Sequence, residues 1–144
     1  MGEVDAGRIL AKLTYIDAEL AVLRPVAEYT TDAPPGPLMV AGVRYAIQTS
    51  IEAVIDICFH VSAKAARHVP QGAHDALNAA VAGTGVADAQ VKRWHDMIGL
   101  RNRLVHGYEQ VDDQQLLAGL PGGIADLAAF MTWSRRWLHD REEG

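Results

Sequence analysis

Between positions 40 and 65 apolar residues recur at steps of three and four without interruption: Val40, Val43, Ile47, Ile51, Val54, Cys58, Val61 and Ala65. A stripe held for about seven turns describes a helix buried along one side. One helix cannot cover its own stripe, so the rest of the chain has to supply other helices packed around this one. The opposite side carries Arg44, Gln48, Glu52 and Asp56 at intervals of four, a single polar line. That line reads either as a solvated face with charge pairs or as the lining of a cleft or partner surface.

The flanking sequence supplies the helices. Ile9, Leu13, Ile16, Leu20 and Leu23 alternate steps of four and three, which predicts a first helix from about Glu3 to Glu28. Pro25 lies inside it and should kink it or end it near Leu23. TTDAPPGP cannot continue a helix and reads as a surface connection. A short helix over His74 to Val81 should follow, then the turn AGTGVAD, whose GTG has neither the preceding strand nor the completed spacing of a nucleotide fingerprint. Asp88 is placed to cap a third long helix with the seam Val91, Trp94, Ile98 and Val105. Asp112 is placed to cap a short helix through Leu117. LPGG breaks or kinks the chain, and a last helix runs from about Ile124 to Arg141, presenting Trp133 and Trp137 as core or interface anchors. No segment alternates like a strand. The expected architecture is all-α, an antiparallel bundle of four or five helices in a single domain over residues 1–144.

The totals narrow the function. A net charge of -5 gives no bulk attraction for nucleic acid, so RNA binding would need a local patch. One is present: between Val91 and Arg103 stand Lys92, Arg93, Arg101 and Arg103 against the single acid Asp96, a local charge of +3. The lone Cys58 excludes an internal disulfide or a Cys-rich zinc site and suits a reducing cytoplasm. The start, MGEVDAGRIL, lacks the basic and apolar regions of a signal peptide, and no uncharged stretch of about 18 apolar residues suggests a membrane span. His60, His68, His74, His95 and His139 show no ligand spacing. No metal site is expected, nor any cofactor.

Chemically able side chains crowd into RNRLVHGY, residues 101–108. Continuing the seam of the third long helix puts Arg101 and Tyr108 where the pattern reserves apolar groups. An arginine cannot shed its charge and is costly to bury unpaired. It could pair with an acid such as Asp56, or it could serve a site. On a straight helix His106 is rotated about 140° from Arg101, while Asn102 shares its face with His106. Two arrangements would bring the arginine and histidine together: unwinding near His106, helped by a positive φ at Gly107, or two copies of the motif meeting across a two-fold axis. A guanidinium that grips phosphate and an imidazole that exchanges a proton near neutral pH suffice for RNA cleavage, because the ribose 2′-hydroxyl is itself the nucleophile.

MIGLRNRLVHGYEQVD, residues 97–112, resembles the R-x4-H signature of the HEPN superfamily, in the form R-x4-H-x-Y of HepT-like toxins of prokaryotic toxin–antitoxin pairs. RYAIQTSIEAVIDIC, residues 44–58, is similar to the second helix of that family. The resemblance implies an all-helical, homodimeric, metal-independent endoribonuclease in which Arg101, Asn102 and His106 are catalytic. Tyr108 would be the regulatory acceptor of AMP, transferred by an MntA-like nucleotidyltransferase antitoxin. Lys92, Arg93 and Arg103 are the added candidates for RNA contact. Two other readings stay open: a non-catalytic HEPN module that binds nucleotides or docks onto a nucleotidyltransferase, and a purely structural bundle with Arg101 salt-bridged in its core.

Overall fold

The computed structural model describes residues 3–28 and 35–143, except for the side chain of Tyr108. Among the described residues are six α-helices and no strand: α1 (Ala6–Ala27), α2 (Pro37–Lys64), α3 (Ala73–Val81), α4 (Asp88–His106), α5 (Asp113–Ala118) and α6 (Leu120–Glu143). A 3-10 turn, Tyr108–Gln110, lies between α4 and α5. The four long helices form a ring in which α1 and α4 each pack on both α2 and α6, and α3 lies across α2 and α4. The short helices α3 and α5, both expected from the sequence, bring the described helices to six around the expected bundle. Most of the expected TTDAPPGP connection lies outside the described residues.

The stripes read for the first two helices face the core. Ile9, Leu13, Ile16, Leu20 and Leu23 of α1 are at most 1% exposed, and Val43, Ile47, Ile51, Val54, Cys58 and Val61 of α2 are buried against them. By length and composition α2 could cross a membrane, but it carries Arg44, Glu52 and Asp56 and packs on α1, α3, α4 and α6. Trp94 anchors α4: it is 1% exposed, meets Phe130 edge-on at 5.2 Å, and donates its indole N–H to the carbonyl of Asp126 at 2.9 Å.

Helix ends depart from expectation in ways the local chemistry explains. Asp5 caps α1 by accepting from the Arg8 N–H at 3.0 Å, so the helix begins three residues after Glu3. Pro25 does not end α1 near Leu23; the helix runs to Ala27, with Pro25 in its last turn. Asp88 is not a cap but the first residue of α4, after Ala87, and acts on the helix dipole instead. Asp112 does cap α5, accepting from the N–H groups of Gln114 and Gln115. LPGG is no break. Only Gly119 separates α5 from α6, and Leu120 to Gly123 form the first turn of α6, where Pro121 costs no hydrogen bond because that N–H would have no helical partner. The GTG turn is a plain one, with Gly83 and Gly85 at φ of 75° and 80°.

Candidate functional site

The site lies where α4 leaves the core. The apolar seam of α4 does not continue through 101 and 105 as expected: Leu104 is the buried residue of the last two turns, and Val105 is 37% exposed. The 3-10 turn that follows the helix stays close to its last turns. Arg101 stands at the edge of the core, partly covered, and Asn102, Arg103 and His106 are exposed.

Arg101 has a partner on the polar line of α2, but it is Glu52. The Arg101 Nε and Nη2 groups both donate to Glu52 Oε2, at 3.1 and 2.9 Å, and Nη1 reaches Asn102 Oδ1 at 3.4 Å. Asp56, the expected partner, pairs instead with Lys12 at 2.9 Å. Because one edge of the guanidinium is satisfied at the surface, no unpaired charge is buried. The N–H groups on its outer side remain available for an oxyanion. The side chains of Arg101 and Glu52 are 28% and 34% exposed, so the pair is reachable from solvent.

The polar line of α2 is a lateral fastening. Arg44 donates to Asp113 at 2.8 Å and to the Val111 carbonyl, fixing the segment beyond the motif. Gln48 donates weakly to Glu52 at 3.4 Å. Glu52 holds α4, and Asp56 holds α1 through Lys12. The same line also lines a cleft: a groove of about 530 Å³ runs between Glu52, Asp56 and Phe59 of α2, His74 of α3, and Arg101 and Asn102 of α4.

His106 is the last residue of α4 and makes no hydrogen bond or ion pair among the described residues. The helix does not unwind before it. The N–H of Gly107 donates to the Arg103 carbonyl at 2.8 Å, and Gly107 has φ of -123°, not the positive value expected. A Cβ there would stand 2.9 Å from the side-chain oxygen of Gln110, an exposed and flexible side chain that can move aside, so neither φ nor space demands glycine at 107. A continuous helix keeps the rotation of about 140° between Arg101 and His106, so a single chain presents them on different faces. The side chain of Tyr108 lies outside the described part of the structure.

The basic patch is partly neutralised. Lys92 pairs with Asp96 one turn away at 3.2 Å, and Arg93 donates to Asp126 at 3.0 Å and to Gln90 at 3.0 Å. Arg103 has no ion pair among the described residues. Glu52, Phe59 and His74 were not picked out as site residues from the sequence. Glu52 stood in the polar line, but no spacing rule says which acid on α2 meets α4. His74 meets His95 through their Nδ1 atoms at 2.7 Å, and His95 Nε2 meets Asn78 at 2.8 Å. Burial and the neighbouring His74 hold the His95 ring below the ordinary imidazole pKa, with Asp96 opposing. His60 is lowered likewise, first by burial and then by Arg8, with Asp5 opposing; its Nε2 accepts the Asp5 backbone N–H at 2.8 Å, which requires a neutral ring. Cys58 is buried with its thiol pushed far up by desolvation, consistent with a packing role. Among the described residues no three His, Cys, Asp or Glu side chains are grouped to hold a metal ion.

A family model described as ribonuclease HepT-like matches residues 16–132. No curated protein matches the chain significantly. Among solved structures, the chain is similar to the Bacillus subtilis cytosolic protein of unknown function YutE, at 18% identity over 98% of this chain and 95% of that one, with a TM-score of 0.82. It is also similar to a toxin–antitoxin with AMP-PNP, at 18% identity over 90% of this chain and 98% of the other, TM-score 0.79. A mutant MntA-HpeT toxin–antitoxin gives 20% identity, the same coverage and a TM-score of 0.78. At these identities the structures share the fold with this chain.

Proposed function

The chain belongs to the ribonuclease HepT-like family, and from that premise we propose that it is the toxin of a toxin–antitoxin pair: a single HEPN-like helical domain over residues 1–144 that cleaves RNA without a metal, at a site completed by a second copy of itself. The observation that carries this reading is the unbroken α4. It leaves His106 exposed and unpartnered while Arg101 is oriented on another face, so the two can converge on one phosphate only when two copies contribute.

In this mechanism Arg101 holds a non-bridging oxygen of the scissile phosphate through its outer N–H groups, with Glu52 as a positioning residue that fixes the guanidinium plane. His106 of one copy takes the proton of the ribose 2′-hydroxyl. The freed oxygen attacks phosphorus, a 2′,3′-cyclic phosphate forms, and the 5′-oxygen leaves with a proton from the second copy's His106. Asn102 turns its carbonyl oxygen toward Arg101, which leaves its amide N–H groups for the ribose or the imidazole. Arg103 offers an unpaired cation to flanking phosphates; Lys92 and Arg93 join it by exchanging a carboxylate partner for phosphate.

The partner in this reading is an MntA-like nucleotidyltransferase antitoxin, which neutralises the toxin by binding and by passing AMP to Tyr108. The phenol oxygen attacks the α-phosphate of ATP and pyrophosphate leaves, so the product carries negative charge to the cleft that RNA must enter. RNA as substrate and a free, buried Cys58 both suit the cytoplasm.

Incubating the purified protein with total RNA tests the proposal. Cleavage that survives EDTA and disappears in His106→Ala is expected; undiminished cleavage by that variant removes His106 from the mechanism. One observation favours the rival docking module: Glu52 already satisfies one edge of Arg101 in the free chain. Growth arrest on expression, relieved by His106→Ala, separates the two.

A further inference from the structure

On the other flank of α4 from the groove, an apolar cavity of about 230 Å³ opens between α1, α2, α4, α5 and α6. Its walls are Leu23, Ile47, Met97, Leu116, Leu120 and Leu127, all buried. By proportion with an apolar cavity of about 150 Å³ that accepts benzene, it has room for roughly eight to ten carbon atoms.

The GLPGG stretch helps to keep it open. Gly119 and Gly123 both line the cavity, and a Cβ built on Gly123 would meet nothing within 4 Å. A larger side chain at 123 would suit both the space and the helix, since glycine inside a helix is about 1 kcal/mol worse than alanine. The mouth is polar, with the exposed side chains of Arg103, Gln110, Asp112 and Gln115. Asp112 is occupied there in capping α5. Arg103 has no ion pair among the described residues, and its guanidinium lies back along α4, with Nη1 3.5 Å from where a Cβ on Gly99 would be. With the Asp112 carboxylate turned to the N–H groups of α5, Arg103 is the charged group at the mouth without an ion pair among the described residues, and an apolar chamber with such a cation at its mouth suits a chain with an anionic end.

We propose that this cavity is a binding site for a medium-chain carboxylate, its tail among the leucines of α5 and α6 and its head on Arg103. Gln110 and Val111 line the cavity and belong to the segment that follows His106. An occupant would therefore press on the chain between the catalytic helix and α5, as an effector distinct from RNA. The site goes beyond the nuclease reading and stands without it, since a cleavage-dead chain would still bind.

The test titrates the full chain with octanoate and with 1-octanol, following the Met97 methyl resonance by NMR and the heat of binding. Saturable octanoate binding is expected, with nuclear Overhauser effects from its terminal methyl to Met97, and octanol about tenfold weaker. Arg103→Met should make the two bind alike, and Gly123→Leu should abolish both while leaving the circular dichroism of the fold intact. Leu116→Trp is the second blocking variant should Gly123→Leu misfold. No saturable change at Met97, or binding that survives both blocking variants, overturns the site; octanol binding as tightly as octanoate to the unaltered chain overturns the anionic specificity.

Discussion

The two halves of α4 are built to opposite ends. From Asp88 to Ile98 the helix is an anchor: Trp94 is enclosed by Phe130 and Trp133, its indole N–H is spent on α6, and Arg93 is bound to Asp126. From Arg101 to His106 the same helix presents polar groups to solvent, and only Leu104 among them is buried. The first half holds the second still, so the side chains that could do chemistry add little to the fold beyond the surface pair of Arg101 with Glu52. Substitution in the two halves should therefore fail differently, one in stability and the other in activity.

The largest stability effect should come from the anchor. Trp94→Ala is expected to cost about 3–5 kcal/mol, seen as a fall in the urea midpoint, because it empties the centre of the α4–α6 contact. His106→Ala should leave that midpoint within about 0.5 kcal/mol while cleavage drops roughly a hundredfold or more. If the two variants lose stability alike, the division between halves is wrong. Glu52→Gln falls between them: a half-exposed pair contributes about 1 kcal/mol or less to stability, but cleavage should fall about tenfold as Arg101 loses its orientation. A rise in cleavage would mean that Glu52 restrains Arg101 instead of positioning it.

Acid should separate the regions too. The folded chain holds His60 and His95 below the ordinary imidazole value of 6.5, so it binds fewer protons than the unfolded chain. Their contribution is complete above that value and is lost as pH falls through the depressed ones. Melting temperature should drop from pH 7.5 to 5.5, and less steeply in His95→Gln, which removes one of the two titrating rings. The smallest effect is at Ser50, whose hydroxyl is buried without a hydrogen-bond partner among the described residues. Ser50→Ala should be neutral or stabilising by up to about 1 kcal/mol in the same melt.

How much of this was legible depends on what each feature answers to. The stripes of α1 and α2 and the cap at Asp112 are local consequences of side-chain spacing, and spacing is what a sequence displays. The buried face of α4 beyond Ile98 passes through Leu104 and not through Val105, one position from where the spacing set it. Gly107 was expected to relax the helix, yet its φ of -123° is one that other residues adopt and the helix keeps its form as far as His106. The choice of Glu52 over Asp56 was also hidden. Both sit on one line of α2, and only the height at which α4 crosses decides which one Arg101 meets. The family signature placed the candidate residues on the chain, and helix geometry already gave the rotation between Arg101 and His106; what spacing left open was whether α4 stays unbroken as far as His106, as it does.

Arg44 has a further effect. By clamping Val111 and Asp113 it fastens the far end of a stretch whose near end is the last turn of α4. The five residues 107–111 are thus a short bridge between two moorings, and a group attached at Tyr108 travels only as far as that bridge can flex. Any ornament placed there stays a neighbour of His106, and cutting the Arg44 mooring should let it drift.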